Sequence, residues 1–394
     1  MRLHPRCLSL SILAGLSVLA PSAFAADGND IFSFSGYGTV GVVHSSEHQA
    51  DFGAPMAPDG AGHTDRWSTT PDSRLAAQVN ANFTENFSAV VQAVSEYDSE
   101  RSYAPDLTLA HVRYAFTPAL AVRAGRIVAP TFMLSEYRRV GYAMPWVRPP
   151  VEVYNTAISL DGAELSYKFN VGESTAVTLQ LVAGEADEKV FELHDTIGLL
   201  GRVEFGSSTV FAGYNETKLS LADDPQLEYL LSLYGPIAPE LASNYHLKDN
   251  DVTFAALGYA YDPGKWFFRS EITRLAGEEG MLAHTTNMYA SVGMRVGAFT
   301  PYATFGKVNV DSPITVGAAD PIGVINGILA NGNEARQSLT LGARWDVRES
   351  VALKLEASHV DSDAGSNGGL TNLQPGFRPG GSYNLVSASV DFVF

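Results

Sequence analysis

Cysteine is almost missing from this chain: the one residue, Cys7, lies ahead of the apolar run Leu8–Leu19. A cysteine in that place is no lipid-attachment site, and everything after it is free of disulfide chemistry. Also missing is any run of the roughly 18 apolar residues that a spanning helix needs, so a membrane could be crossed only by strands. Basic charge is scarce, with 26 Lys and Arg against 43 Asp and Glu, which removes nucleic acid from the partners. No GxSxG elbow, HExxH helix or glycine-rich phosphate loop occurs, and the adjacent Ser358 and His359 would point oppositely on a strand, so an enzyme is not expected. Of nine histidines, His44, His48 and His63 gather near one loop without an acid or cysteine at zinc spacing. Asp361, Asp363 and Asn367 do not match the twelve-residue calcium loop, so neither metal nor cofactor is expected. There is no repeat and no linker to a second domain.

What is present begins with Arg2 and Arg6 before the apolar run and Ser22-Ala23-Phe24-Ala25 after it. A positive flank, a short apolar centre and small residues make residues 1–25 a secretory signal peptide, with the cut expected after Ala25. The remaining domain, 26–394, loses two arginines and becomes more acidic. Overall hydropathy is near zero although 45% of residues are apolar. A membrane barrel and a soluble β-sandwich both give that average.

Periodicity separates them. From Tyr383 to Phe394, Val386, Ala388, Val390, Phe392 and Phe394 alternate with Leu385, Ser387, Ser389, Asp391 and Val393. One face of such a strand suits lipid, the other a wet lumen, and the terminal aromatic suits the interface. Strand-like segments fall at 31–44, 72–83, 87–98, 106–117, 119–127, 158–170, 175–184, 197–206, 208–218, 250–262, 265–276, 284–297, 299–309, 335–347, 350–360 and 382–394. Tight connections such as Thr117-Pro118, Gly206-Ser207 and Arg348-Glu349 alternate with long ones at 45–71, 128–157, 219–249, 310–334 and 361–381. The expected fold is all-β: a transmembrane antiparallel barrel of about sixteen strands, with short periplasmic turns opposite long outer loops.

Aromatics mark the same end, since Phe83, Phe87, Phe116, Phe169, Phe205, Tyr261, Trp266, Phe267, Phe299 and Trp345 flank the tight turns. By parity Arg74, Gln78, Asn80, Asn82, His111, Arg113, Arg123, Glu164, Lys168, Lys354 and Glu356 point inward, with Leu75, Val112, Leu165 and Leu355 outward. Sixteen strands leave an aqueous channel, so passive diffusion of small hydrophilic solutes is the expected activity. The acidic outer loops, with Asp223-Asp224, Glu278-Glu279 and Asp361-Ser362-Asp363, suit a surface of outer-membrane lipid and lipopolysaccharide bridged by divalent cations.

The segment Arg126–Asn155, RIVAPTFMLSEYRRVGYAMPWVRPPVEVYN, follows the fifth strand. A connection that long is functional or disordered, and its aromatics argue for order. With the signal, the strand layout and the terminal Phe394, it resembles a Gram-negative outer-membrane porin, whose loop after strand five folds inward as a constriction, here 128–157. The resemblance implies a homotrimer, an assembly-machinery role for Phe394, and acidic loop residues facing basic wall residues. Glu136 and Glu152 are then the loop carboxylates, and Arg74, Arg113, Arg123 and Arg126 the wall candidates.

Arg138, Arg139 and Arg148 make this loop positive, which points to a weak anion preference; the same arginines would serve equally to tie the loop to the wall. A substrate-specific channel for a sugar, aromatic acid or phosphate is the second reading, with Tyr137, Tyr142, Trp146 and Tyr154 touching solute. A non-conducting surface receptor or adhesin is the third.

Overall fold

The computed structural model describes residues 31–54, 56–155, 158–221, 225–277, 280, 282–312 and 314–394. The signal segment, Asp223-Asp224 and Glu278-Glu279 lie outside the described residues. Sixteen long strands follow in order: Phe32–Ser45, Arg74–Asn82, Phe87–Glu96, Asp106–Ala115, Leu120–Val128, Ser159–Val171, Thr175–Glu188, Phe191–Phe205, Ser208–Leu221, Asn250–Tyr261, Trp266–Gly277, Thr285–Met294, Phe299–Val310, Arg336–Arg348, Val351–Ser362 and Ser382–Val393. Each pairs antiparallel with its neighbours in sequence. The first strand meets the second from Phe32↔Ala81 to Thr39↔Arg74 and the last from Tyr37↔Val393 to Ser45↔Leu385. That double pairing closes the cylinder and leaves no free sheet edge.

Parity sorts the side chains as expected. Leu165, Leu199, Leu257, Leu341 and Leu355 stand 40% to 60% exposed on the outer face. Inward neighbours such as Glu164, Lys354 and Glu356 are buried. An apolar exterior around a polar interior is what a barrel in lipid requires. At the tight-turn end the aromatics pair: Phe83 with Phe87, Tyr261 with Trp266 and Phe299 with Trp345 have ring centroids 5.3, 5.1 and 5.6 Å apart.

Two expectations about the strands need correcting. The seventh and eighth do not stop at 184 and start at 197; they run to Glu188 and from Phe191, and turn at Lys189-Val190. Register shifts at Gly184/Ala186 and His194/Ile197 break the alternation, so periodicity ends where pairing does not. The twelfth strand ends at Met294 rather than 297, short of a turn closed by Val296 and Phe299.

The outer loops fold on one another. Loops after the ninth and thirteenth strands carry helices Pro225–Ser232, Pro239–Asn244 and Val324–Asn331, joined around buried Tyr234, Tyr245, Ile325 and Leu329. Elsewhere Lys189 Nζ donates to Asp98 Oδ2 at 2.6 Å and Glu100 Oε2 at 2.9 Å, while Arg101 Nε and Tyr97 Oη donate to the Asp59 carboxylate at 2.9 and 2.7 Å.

These contacts tie three outer segments and titrate. Desolvation pushes the Asp98 carboxyl up, but hydrogen bonds from Lys189 and the Ser102 and Glu100 backbone outweigh it and hold the group below the ordinary carboxylate range. A depressed folded value stabilises above the ordinary carboxylate pKa and is lost as pH falls through the depressed one. Current through the protein in bilayers should therefore become noisier when the outer side is acidified below about pH 4, and Asp98→Asn should be noisy already at neutral pH. Equal noise in both proteins at every pH would contradict this role.

Candidate functional site in the barrel lumen

The chain between the fifth and sixth strands turns into the lumen instead of passing over the rim. Met133, Leu134, Met144, Trp146, Val153 and Tyr154 are at most 3% exposed and pack with wall residues Leu200, Phe211, Ala256, Phe267, Tyr289 and Tyr302. Burial of that much apolar surface drives the segment inward, and the polar bonds then fix its path.

Those bonds reach most of the circumference. On the eleventh strand, Glu271 Oε1 accepts the Met133 N–H at 2.9 Å and Oε2 accepts the Tyr154 hydroxyl. Trp146 Nε1 donates to Ser291 Oγ at 3.0 Å and Thr304 Oγ1 at 3.1 Å. Glu356 Oε1 accepts the Val147 N–H at 2.9 Å, and Arg202 Nη2 donates to the Met133 carbonyl at 2.8 Å. Near the periplasmic end, Arg344 Nη1 donates to the carbonyls of Tyr142 and Met144 at 2.5 and 2.9 Å, and Tyr142 reaches the Glu349 carbonyl in the tight turn. The loop thus extends from the outer rim to the inner one.

The opposite wall is held by charge. Arg123 Nη2 bridges Glu136 Oε1 at 2.8 Å and Glu164 Oε2 at 2.5 Å. Arg139 donates through Nε to Glu96 Oε1 at 2.9 Å. Arg148 grips Asp72 with Nε and Nη2 at 2.7 and 2.6 Å and adds Ser387 Oγ at 2.8 Å. Acid and base at the constriction are therefore in contact rather than facing each other across a gap.

No protein-family model matches the chain, and no curated protein matches it by sequence. Solved structures do. An anion-selective porin from Comamonas acidovorans superposes with a TM-score of 0.57 at 15% identity, covering 92% of this chain and 99% of that one. OmpF of Salmonella typhi in complex with daunomycin gives 0.56 at 10% identity, covering 92% and 97%. The outer membrane channel DcaP of Acinetobacter baumannii gives 0.54 at 11%, covering 92% and 97%. The chain has the porin fold.

Within this porin-fold lumen the expected site residues divide. Arg74 lies 3.9 Å from Glu96, and Arg113 faces inward with no carboxylate at ion-pair distance among the described residues. Arg126 requires a correction: Ile127 is the buried inward residue, and Arg126 turns the other way, bidentate to Asp161 at 2.8 and 2.5 Å. Arg138 is buried, donates to the Tyr154 carbonyl at 3.0 Å and lies over the rings of Phe132 and Tyr154. Burial and neighbouring Arg139 lower its pKa, and the Glu96 carboxylate opposes that shift.

Glu152 is 4% exposed and accepts from Ser338 Oγ at 2.7 Å, so it ties the loop down instead of lining an opening. The aromatics need the same correction, since Trp146 and Tyr154 are anchors at 1% and 3% exposure, Tyr137 is buried, and Tyr142 stacks on Arg344 at 4.8 Å. Glu136 alone among the loop acids stays in the passage, its side chain 38% exposed. Desolvation pushes its carboxyl up, but Arg123, by charge and hydrogen bond, outweighs that and holds it below the ordinary range.

Sequence reasoning missed Glu271, Arg202, Arg344, Asp72 and Glu96 as loop holders. Parity would have found Glu271, whose neighbour Ile272 is 43% exposed outward. Asp72 lies before its strand, where no periodicity operates.

Proposed function

We propose that this protein is an outer-membrane channel for passive diffusion of small hydrophilic solutes, of narrow bore and with a weak anion preference. The observation that supports it is the constriction loop, bonded to the wall on both sides of the lumen, through Glu271 and Glu356 on one side and Glu96 and Arg123 on the other. A loop held at so many points leaves a small rigid passage, not a mobile flap. The anion preference rests on the inward wall residue Arg113, because Arg123, Arg139 and Arg148 are each engaged with a carboxylate. A Gram-negative outer-membrane location, a homotrimer, contact with lipopolysaccharide and insertion through the barrel assembly machinery at Phe394 belong to the same proposal.

Planar-bilayer recording with a salt gradient tests it. Small ohmic steps with an anion-leaning reversal potential are expected, and absence of steps would refute a channel. In Arg148→Ala the reversal potential should stay within error of the parent while conductance and noise rise, because Asp72 loses its partner and the loop loosens. A clear shift toward cations would instead give Arg148 a direct part in selectivity.

A further inference from the structure

Where the loop crosses the first three strands, the wall on its periplasmic side carries no charge. Val140 of the loop packs against Tyr37, Ala76 and Val94, which share one register row. Toward the tight turns the next inward rows are Ser35, Gln78 and Gln92, and then Ser33, Asn80 and Val90. Charge returns only at Arg113, beside Ser88 in the row below.

The amides of this sector are already ordered. Thr108 Oγ1 donates to Gln92 Oε1 at 3.0 Å, Gln92 Nε2 to Gln78 Oε1 at 2.7 Å, and Gln78 Nε2 to Asn80 Oδ1 at 2.8 Å. Every link runs in the same sense. Gln92 and Gln78 each keep one amide hydrogen, and Asn80 Nδ2 has no protein partner among the described residues. All three side chains are half-buried at the lumen surface. Groups that hold one another in place lose little rotamer freedom when a solute binds, so weak hydrogen bonds to them are not cancelled by ordering.

Val90 lies among these amides, with Asn80 beside it in its own row and Gln92 two residues on along its strand. Its neighbour Val91 is 48% exposed on the outer face, which turns Val90 to the lumen. A small apolar floor edged by hydroxyls and neutral amides matches a solute with a C–H face and a hydroxyl rim. No carboxylate or guanidinium belongs to these rows, so a charged solute gains nothing from them.

We propose that this sector is a binding platform for an uncharged hexose, with Val90 under the sugar ring and Gln78, Asn80 and Gln92 bonded to its hydroxyls. The inference rests on the channel reading and gives that channel a neutral solute class.

Glucose added to the reconstituted full-length mature protein is the probe, with polyethylene glycol of similar mass as the control for simple obstruction. Glucose should interrupt the parent's current where the polymer does not. Gln78→Leu removes the middle of the amide row and should raise the half-blocking concentration about fivefold or more, as loss of one or two neutral hydrogen bonds implies. The parent's value should stay constant between roughly 0.1 and 1 M KCl, where the screening length falls from about 10 to about 3 Å, because no charge takes part. The variant must first show the parent's heat-modifiable gel migration; should it fail to fold, Asn80→Ala takes its place with the same expected direction. Equal half-blocking concentrations in parent and variant, equal action of glucose and polymer, or a steep salt dependence would each overturn the platform and leave the channel reading standing. A parent without conductance overturns the channel reading instead. Saturation-transfer NMR of glucose with the solubilised protein then decides the platform: signals lost in Gln78→Leu support it, and no signal with the parent overturns it.

Discussion

Replacing Lys354 by methionine should lower the barrel's thermal midpoint and open the channel to larger, noisier currents. Its ammonium, fully buried, donates to the carbonyls of Gly141 and Trp146 at 2.7 and 2.6 Å and pairs with Asp391 Oδ2 at 3.0 Å. Asp391, buried as completely, accepts from Thr39 Oγ1 at 2.5 Å and Ser389 Oγ at 2.9 Å. Methionine fills the space but leaves a buried carboxylate without its cation and two carbonyls without donors. Breaking a buried pair costs about 3–5 kcal/mol, against about 0–1 kcal/mol for an exposed one. The double change Lys354→Met, Asp391→Asn should recover much of the midpoint, because no charge is then stranded. Conductance should remain raised, since the carbonyls of Gly141 and Trp146 still lack their anchor. If the single variant melted and conducted like the parent, Lys354 would not be the clamp described.

The second large effect is expected at the closing seam. Gly36 exchanges both backbone bonds with Phe394, at 2.8 and 3.0 Å, and the Phe394 ring lies over it. A Cβ at Gly36 would meet Phe394 Cζ at 2.2 Å and the Ala76 carbonyl oxygen at 2.7 Å. The ring can move; the carbonyl belongs to the ladder and cannot. Gly36→Val should thus yield little folded, heat-modifiable barrel. Gly38→Val should be milder, because the three atoms nearest a Cβ there all belong to the Phe392 ring, the closest at 2.4 Å. Overpacking of this kind costs about 1–3 kcal/mol where side chains can yield and more where they cannot. Equal yields of folded protein from the two variants would show that the ladder does not set the limit.

Much of the barrel was legible because alternation is a local property. Leu165 against Glu164, or Leu355 against Lys354 and Glu356, reveals inside and outside without knowing the fold. It failed at Gly184 to Ile197, where bulges shift the pairing while the strands continue. In the loop, composition pointed to order and to chemistry but not to direction. Of the two roles open to the loop arginines, lining the pore or tying the loop to the wall, Arg139 and Arg148 have the second, bonded to Glu96 and Asp72, residues 43 and 76 positions away.

By itself, then, the sequence determined the strand count, the two faces of the wall and the end carrying the aromatics, because each follows from neighbours within a few residues. Only the tertiary structure decided which charges remain available in the passage. Charge availability depends on partners brought together by barrel closure, and a carboxylate such as Glu271 or Asp72 carries no local mark of the loop atom it will meet. The same closure left Arg113 beside Arg123 in the wall and bonded Glu136 to Arg123.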